Sequence, residues 1–386
     1  MMTRIDLENF TVFGKLNLEF SSKINIIIGE NSTGKTHLLK AAYWLSYIAS
    51  ELKGSREIGN KKVEATFSEK LVRLFLPLDG KLGKMCRHRA VEKSKMEVHF
   101  GPIDSKIVVC FHSRSRSVLI PPSTNYGQSQ KRPVFIPTKE VLSLVKGISS
   151  TEADSQTVKN IFDDTYLDLC NLLLESNETN ATDRIDFDPR FGSVFPDLVN
   201  VVGGKYILTN GKFCFQKGKY EEKKVRGQHR YGDKKETVFK PVKDADLSNN
   251  MTAEGFRKIG MLQRLLVNKT LNPGISGPLF WDEPESNMNP KLVQMLVQIL
   301  LDLSRNGQQI ILATHDFVLL KWFDLLMDKG KEDHVRFHAL YRGSDPQEIL
   351  VKSTDNYLEI SPNSIADTFS ALTDSEISRS MGRVGK

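Results

Sequence analysis

A glycine-bounded loop near the start of the sequence limits the folds open to this chain. Residues 26–39 read IIIGENSTGKTHLL, an apolar run followed by small polar residues and then a helix-like stretch. The loop matches the pattern G-x-x-x-x-G-K-[ST] in full. Gly29 and Gly34 permit backbone angles that side chains forbid, so successive N–H groups can face phosphate oxygens at a helix N-terminus. The sequence therefore predicts a strand, a phosphate-binding loop and a helix beginning near Lys35.

The residues of this loop have predicted roles in holding a nucleotide. The Lys35 ammonium would reach the β- and γ-phosphates, and the Thr36 hydroxyl would ligate Mg²⁺. An ordinary strand-to-helix turn is the alternative, but the flanking strand and helix patterns argue against it. The predicted nucleotide-binding residues are Gly29, Glu30, Asn31, Ser32, Thr33, Gly34, Lys35, Thr36 and His37.

Two adjacent carboxylates follow a second apolar run far along the chain. The segment GPLFWDEPESNMNP places residues 279–281 directly before Asp282 and Glu283. In P-loop ATPases an acid at a strand end holds the Mg²⁺ shell, and an adjacent acid can polarise the attacking water. Asp282 is therefore the predicted metal ligand and Glu283 the predicted catalytic carboxylate. The alternative is that the pair only caps the helix that follows.

A third apolar run ends in a histidine. The segment QQIILATHDFVLL gives a strand at 310–312, followed by Thr314, His315 and Asp316. Ligands of parallel α/β sheets lie at the carboxyl ends of the strands, so the loop, the acid pair and His315 should meet at one γ-phosphate. One helix and one strand separate His315 from the acid pair, which is the spacing of a βαβ unit. This spacing favours a γ-phosphate contact over a structural histidine.

Together these motifs resemble the ABC-type ATPase heads of the SMC, RecF and OLD proteins. The resemblance rests on the phosphate loop, on DEP at 282–284 and on a switch histidine at His315. It implies ATP and Mg²⁺ as ligands, hydrolysis of ATP to ADP and phosphate, and catalytic roles for Lys35, Glu283 and His315. It also implies a homodimer or larger homo-oligomer, in which a signature loop of one head closes over the ATP of the other.

The candidate signature loop departs from the family pattern. That pattern carries a Ser just before its glycine pair, whereas residues 252–255 read TAEG. Gly255 and the helix behind it can still present N–H groups to a phosphate, with Thr252 as the accompanying hydroxyl. Glu254 would bring a negative charge near the γ-phosphate unless it faces away. The alternative is an ordinary amphipathic core helix, because apolar residues recur at helical spacing after Gly255.

Three further stretches resemble a group of compact bacterial ATP-binding proteins of the AAA family, which have an ABC-type head and no long arms. They are FIPTKEVLSL at 135–144, FDDTYLDLC at 162–170 and TAEGFRKIGMLQRLL at 252–266. Many relatives of this kind lie in anti-phage defence loci beside a nuclease or toxin, which implies a separate effector protein as a partner. No heptad pattern persists for three or four repeats anywhere between the helix after the phosphate loop and Gly255, and this excludes the long coiled-coil arms of SMC proteins.

The order of the motifs predicts one head interrupted by an insertion. The phosphate loop and its partner acids lie in the expected head segments 1–137 and 246–386. Alternating runs in the first segment predict an antiparallel β arm. Segment 138–245 should hold a helical lid and a hairpin, since Asn210 and Gly211 separate two alternating runs. The expected fold is α/β, a P-loop head of ABC/SMC type with a mixed central sheet flanked by helices.

The formal net charge of +7 is traced largely to two basic runs, 81–95 and 217–236. Such runs attract nucleic acid phosphates, with an affinity that falls as salt rises. They are equally consistent with solvated loops or with docking surfaces for an acidic partner. Nucleic acid is therefore one of two expected partner classes, beside the effector protein.

Several absences bear on where the protein works. The sequence has no run of 18 apolar residues, and acidic residues occur too early for a signal peptide, so a cytoplasmic protein without a membrane partner is expected. The four cysteines are scattered, which argues against a zinc site or a disulfide framework. An additional nuclease domain of the OLD kind is not expected in the residues given after His315, so any nuclease activity is expected from a partner.

The leading interpretation is an ATPase that dimerises around ATP and controls an effector or a nucleic acid. One alternative is an ATP-bound sensor or scaffold with little turnover that holds a toxic effector inactive, which the atypical signature loop favours. A RecF-like DNA repair ATPase is the other. A GTPase is disfavoured because the sequence has no N-K-x-D guanine-reading motif.

Overall fold

In the computed structural model, strands and helices are numbered in chain order. The structure describes residues 1–52, 59–87, 93–101, 105–122, 124, 131–149, 155–175, 194–209, 211–225, 234–272, 274–345 and 347–384. The strands are β1 (Met2–Phe10), β2 (Phe13–Glu19), β3 (Ile24–Gly29), β4 (Ser94–Phe100), β5 (Ser105–Phe111), β6 (Val134–Ile136), β7 (Gly204–Thr209), β8 (Lys212–Val225), β9 (Lys234–Pro241), β10 (Leu247–Ser248), β11 (Leu279–Asp282), β12 (Ile310–Ala313), β13 (Val335–Arg342) and β14 (Ile349–Thr354). The helices are α1 (Lys35–Glu51), α2 (Lys61–Phe75), α3 (Val145–Ser149), α4 (Ser155–Ile161), α5 (Asp164–Leu174), α6 (Val194–Val202), α7 (Glu254–Val267), α8 (Pro290–Arg305), α9 (Phe317–Leu326) and α10 (Ser364–Val384).

The strand that leads into the phosphate loop lies inside a six-stranded sheet of order β14-β13-β3-β12-β11-β6. Its strands pair in parallel except for β13 and β14, which are antiparallel. The register pairs Asp282 of β11 with Ala313 of β12, and Ala313 with Ile27 of β3. The three motif-bearing strands therefore end at one edge of the sheet, which confirms the predicted mixed α/β fold.

The central sheet is apolar on both faces. Successive strand residues point to opposite sides, so Ile26 and Trp281 lie in one buried cluster while Ile27 and Phe280 lie in another. The first cluster includes residues of α5 to α9, and the second includes α1 and the strands β1, β2, β4 and β5. Burial on both faces explains why these strands appear in the sequence as continuous apolar runs.

Two smaller sheets confirm the predicted antiparallel arm and hairpin. One has the order β2-β1-β4-β5, and the other has the order β10-β8-β7 with β9 also paired to β8. Strands β7 and β8 are antiparallel on either side of the predicted turn. Gly211 has a φ of +72°, as a tight turn requires, while Asn210 lies outside the described residues.

The helical part of the insertion is joined to the helix behind the phosphate loop by polar contacts. Helix α5 lies within segment 138–245, for which a helical lid is predicted. The Tyr43 hydroxyl of α1 donates to Asp168 Oδ2 over 2.6 Å, and Lys40 Nζ lies 2.7 Å from Asp163 Oδ2. One buried cluster contains residues of the three predicted segments 1–137, 138–245 and 246–386. The boundaries of these segments stay a prediction.

The last described helix, α10, is mostly exposed. Near its start, the Phe369 ring stacks on Phe317 of α9 with 4.2 Å between ring centroids. Among the described helices, none is both long enough and apolar enough to cross a membrane. The four cysteines are free thiols, and three of them are buried.

Candidate nucleotide site

Gly29 and Gly34 hold the loop in conformations that favour glycine. Their φ angles are +150° and +92°. A Cβ on Gly29 would lie 2.4 Å from the carbonyl oxygen of Leu340, and a Cβ on Gly34 would lie 2.5 Å from Val12 Cγ2. Neither position has room for a side chain, so the loop conformation depends on glycine at both ends.

The other loop residues divide into an exposed tip and a buried base. The exposed residues are Glu30, Asn31 and Ser32. The buried Thr33 donates its hydroxyl hydrogen to the Glu30 carbonyl over 2.8 Å, which ties the loop to itself. The His37 ring packs against Phe75 with 5.6 Å between centroids, and burial lowers its pKa. The structure thus places His37 against the protein interior rather than at the loop tip.

Lys35 is the first residue of α1, and its amine folds back over the loop. Nζ donates to the carbonyl oxygens of Gly29 at 2.7 Å and Glu30 at 2.9 Å. The residue is only 8% exposed, and this burial lowers its pKa against the opposing effect of Glu283 and Asp282. A buried cation whose hydrogen-bond acceptors are neutral carbonyls favours an anionic ligand, because a charged acceptor forms a stronger bond.

Oxygen atoms from three elements meet at Asp282. The Thr36 hydroxyl of α1 donates to Asp282 Oδ2 over 2.9 Å, and the Thr138 hydroxyl donates to the same oxygen over 3.2 Å. Burial raises the pKa of Asp282, and the hydrogen bond from Thr36 opposes that shift. Hydroxyl and carboxylate oxygens are the donors that Mg²⁺ prefers, so this set of residues fits the ion. A bound cation would also offset the cost of keeping the Asp282 charge buried.

Glu283 and His315 contact each other at the ends of neighbouring strands. Glu283 Oε1 lies 3.1 Å from His315 Nδ1, and the side chains are 28% and 54% exposed. The Glu283 backbone N–H donates to the Ala313 carbonyl over 2.9 Å, which aligns β11 with β12 at this point. A partly exposed carboxylate beside an imidazole can accept a hydrogen bond from water.

The candidate signature segment packs against the loop that follows the acid pair. Helix α7 begins at Glu254, one residue before Gly255. A Cβ on Gly255 would lie 3.1 Å from the Asn287 carbonyl oxygen, and Glu254 Oε1 accepts from Asn287 Nδ2 over 2.9 Å. The predicted repulsive carboxylate is therefore hydrogen-bonded within its own chain.

The Thr252 hydroxyl is buried and has two partners. It donates to the Asn249 carbonyl over 2.7 Å and accepts from the Tyr206 hydroxyl over 2.8 Å. Tyr206 comes from β7 of the insertion, so this contact joins the insertion to the segment before α7. In this arrangement the hydroxyl is oriented by protein groups rather than toward solvent.

Three residues near the site were not identified from the sequence as functional. Thr138 lies just after the end of β6, and Asp282 lies at the end of the neighbouring strand β11, so the strand-end position of Thr138 was the available signal. Lys258 interrupts the apolar stripe of α7 and is fully buried, with Nζ donating to the Glu283 carbonyl over 3.1 Å. Arg257 Nε donates to the buried Glu140 Oε1 over 2.7 Å. These last contacts depend on how α7 packs, which local patterns do not reveal.

The described residues of the second basic run include a lysine that is paired with an acidic side chain. Within the described part of 217–236, Glu221 contacts both Lys219, at 2.9 Å, and Lys240, so some of the positive charge is locally compensated. Residues 226–233 of this run, and residues 88–92 of the run 81–95, lie outside the described residues.

Comparisons with known families agree with this geometry. A family model described as "AAA domain" matches residues 4–165, which contain the phosphate loop. A second, described as "AAA domain, putative AbiEii toxin, Type IV TA system", matches residues 216–321, which contain the acid pair and His315.

Among curated proteins, the chain is similar to two that are named DNA replication and repair protein RecF. It is 28% identical over 183 residues to the protein from Bacillus mycoides (strain KBAB4) and 28% identical over 184 residues to that from Bacillus cereus (strain G9842). Each match covers 42% of this chain and 48% of the relative. The chain thus spans about half the length of the curated relatives it matches.

Solved SMC heads are distant structural neighbours. The SmcHead bound to the C-winged helix domain of ScpA is 13% identical and has a TM-score of 0.47, with 92% of this chain and 97% of that one covered. The SMC head domain from Thermotoga maritima is 12% identical and has a TM-score of 0.45, with 92% and 98% covered. The chain is therefore similar to AAA-domain proteins over residues 4–165 and 216–321 and to RecF proteins over part of its length, and the nucleotide motifs of the two AAA segments meet at one sheet edge.

Proposed function

We propose that this chain binds ATP at residues 29–36 and hydrolyses it to ADP and phosphate. The observation that carries the proposal is the convergence of two side-chain pairs at one sheet edge, Thr36 with Asp282 and Glu283 with His315. In phosphoryl transfer the protein takes little part in the covalent steps, so catalysis comes mainly from positioning the reactants and stabilising charge. These four side chains can provide both.

In this proposal each group has a separate task. Lys35 and the loop backbone bind the β- and γ-phosphates, and His315 donates a hydrogen bond to the γ-phosphate. The Glu283 carboxylate orients the attacking water and accepts its proton. Thr36 and Asp282 would hold Mg²⁺, which when bound neutralises phosphate charge.

The proposal can be tested by comparing hydrolysis of ATP with that of GTP and by measuring its dependence on Mg²⁺. Phosphate release should be faster with ATP than with GTP, because the sequence has no N-K-x-D guanine-reading motif. It should also stop when EDTA removes Mg²⁺ and resume when Mg²⁺ is added in excess. The measurement is steady-state phosphate release by the purified chain. Equal turnover of both nucleotides, or turnover that survives EDTA, would contradict the proposed site.

We further propose that two chains close around ATP, with Gly255 of one chain facing the nucleotide of the other. Hydrolysis then removes the γ-phosphate that holds the closed state, and ATP can favour that state only through its higher affinity for it. The closed dimer would control a partner effector or a nucleic acid. The second family model, whose description names a toxin and a Type IV TA system, supports the association of this chain with a toxic effector. We propose that the two act together in anti-phage defence.

The dimer proposal predicts a change in mass that depends on ATP. The variant Glu283→Gln should shift from one chain to two on adding ATP and Mg²⁺, because bound ATP is retained. The measurement is size-exclusion chromatography with light scattering at micromolar concentration. Lys35→Ala is the matched control, and it should remain a single chain with ATP. A Glu283→Gln protein that stays monomeric with ATP bound would rule out dimerisation around ATP.

A second candidate function is an ATP-bound sensor that turns over slowly and holds an effector inactive. The buried hydrogen bonds of the Thr252 hydroxyl favour it, because that hydroxyl must leave both partners before it can reach a phosphate. A RecF-like role in DNA repair is a third candidate, supported by the 28% identity to the RecF proteins over part of the chain. The rate of ATP hydrolysis by the unmodified protein distinguishes the two functions, since a sensor should hydrolyse ATP slowly and an ATPase should hydrolyse it faster.

A further inference from the structure

We propose that Lys258 is a positioning residue, whose ammonium holds the Glu283 carbonyl and thereby fixes the Glu283 carboxylate beside His315. The proposal rests on the proposed ATPase function and adds to it a residue that touches no substrate. It is drawn from three observations, which are the backbone conformation of Glu283, the complete burial of Lys258 and the position of Lys258 on the candidate signature helix.

Glu283 has a backbone conformation that its neighbours must maintain. Its φ is +47°, in the left-handed region that a residue with a side chain avoids. Such a conformation is strained and persists only where the surroundings determine it. The Glu283 N–H donates to the Ala313 carbonyl at 2.9 Å, while its carbonyl accepts from Ser286 N at 3.1 Å and from Lys258 Nζ at 3.1 Å. Lys258 supplies the one side-chain contact in this set.

Lys258 is fully buried on a helix whose buried face is otherwise mainly apolar. Burial lowers its pKa to about 8, and the carboxylates opposing that shift are led by Glu285. A buried amine destabilises a protein unless it forms hydrogen bonds. If this position served packing alone, an apolar residue would give a more stable fold. The burial of an ammonium at this point is explained by the carbonyl that it holds.

A hydrogen bond between Glu285 and Thr314 links the segment that contains Glu283 to the segment that contains His315. Glu285, two residues after Glu283, is buried and accepts from the Thr314 hydroxyl over 2.6 Å. Thr314 directly precedes His315. This hydrogen bond therefore joins the segment after β11 to the segment after β12, in addition to the bond from the Glu283 N–H to the Ala313 carbonyl. Lys258 lies three residues after Gly255, and one helix therefore bears both the candidate signature and the residue that orients Glu283.

Removal of the ammonium alone tests the proposal. Lys258→Met keeps most of the side-chain volume, and kcat for ATP hydrolysis should fall on the order of tenfold or more, because small displacements of a catalytic group are costly. KM for ATP should change by less than about twofold, since the Lys258 amine is bonded to the Glu283 carbonyl and not to the phosphate loop. In the Glu283→Gln background the same substitution should lower the rate no further, because Lys258 acts through Glu283.

Arg264→Met is the matched control. Arg264 lies on the same helix, is also a cation whose pKa burial lowers, and donates to the carbonyls of Leu173 at 2.8 Å and Glu175 at 3.1 Å. Its loss should destabilise the fold without changing kcat. Thermal unfolding of both variants shows whether they are folded. Equal effects of the two substitutions on kcat, or a further loss in the Glu283→Gln background, would overturn the proposal.

A spectroscopic readout keeps this test separate from the ATPase proposal. With ¹³C-labelled histidine, the ring signal of His315 is assigned by its loss in His315→Gln. It should move in Lys258→Met in the same direction as in Glu283→Gln, and it should stay in place in Arg264→Met. An unmoved signal in Lys258→Met overturns the positioning role even if the protein hydrolyses ATP. A moved signal in a protein without turnover supports the role and rejects the ATPase.

Discussion

Replacing Glu283 by Gln should slow ATP hydrolysis by about a hundredfold or more while ATP remains bound, as expected when a general base is lost. The amide keeps the shape of the side chain but cannot accept the proton of the attacking water. Lys35, Thr36 and Asp282 are unchanged, so the affinity for ATP should stay within a few-fold. Single-turnover phosphate release and equilibrium ATP binding measure the two quantities separately.

The control for this variant is Glu348→Gln, which neutralises an exposed carboxylate between β13 and β14. It should retain the rate of the unmodified protein. If Glu283→Gln loses ATP binding as fully as it loses turnover, the residue is part of the binding site rather than the reaction. A turnover unchanged by Glu283→Gln would remove it from the mechanism altogether.

Replacing Lys35 by Ala should abolish tight ATP binding. Hydrogen bonds between charged groups contribute roughly 1.5–3 kcal/mol each, so losing contacts to two phosphates weakens binding by about a hundredfold or more. The fold should persist, because the two hydrogen bonds that the amine makes to the Gly29 and Glu30 carbonyls can be replaced by water at the exposed loop. Calorimetric titration with ATP and Mg²⁺ measures the affinity.

Lys61→Ala provides the comparison, since Lys61 is an exposed lysine at the start of α2. It should bind ATP with unchanged affinity. Comparable ATP affinities in Lys35→Ala and the unmodified protein would mean that the amine is not at the phosphates, and the loop would then lose its assigned role.

Much of the site could be predicted because its parts are local in sequence. The loop glycines, the acid pair after β11 and the histidine after β12 each follow an apolar run, and strand ends in parallel sheets meet at one edge. The contact between Thr36 and Asp282, which lie 246 residues apart, follows from that rule alone. The hairpin around Gly211 was predictable for a similar reason, since its turn residues are adjacent.

The remaining part could not be predicted because it depends on packing between distant elements. Helical spacing places Lys258 on an apolar stripe, but only the position of α7 against β11 shows that its amine meets the Glu283 carbonyl. The burial of the Thr252 hydroxyl requires Tyr206 from the insertion, 46 residues earlier in the chain. Local propensity contains no information about such contacts.

The strand order of the central sheet has a consequence for synthesis on the ribosome. Strand β3 is made early, yet both of its neighbours, β12 and β13, are made after residue 309. At roughly 5–20 residues per second, about a quarter of a minute to a minute passes before either neighbour exists. Throughout that interval an apolar strand has unpaired N–H and C=O groups on both edges, which is a state prone to aggregation. The nascent chain should therefore need a chaperone, and slowing translation should lower its soluble yield.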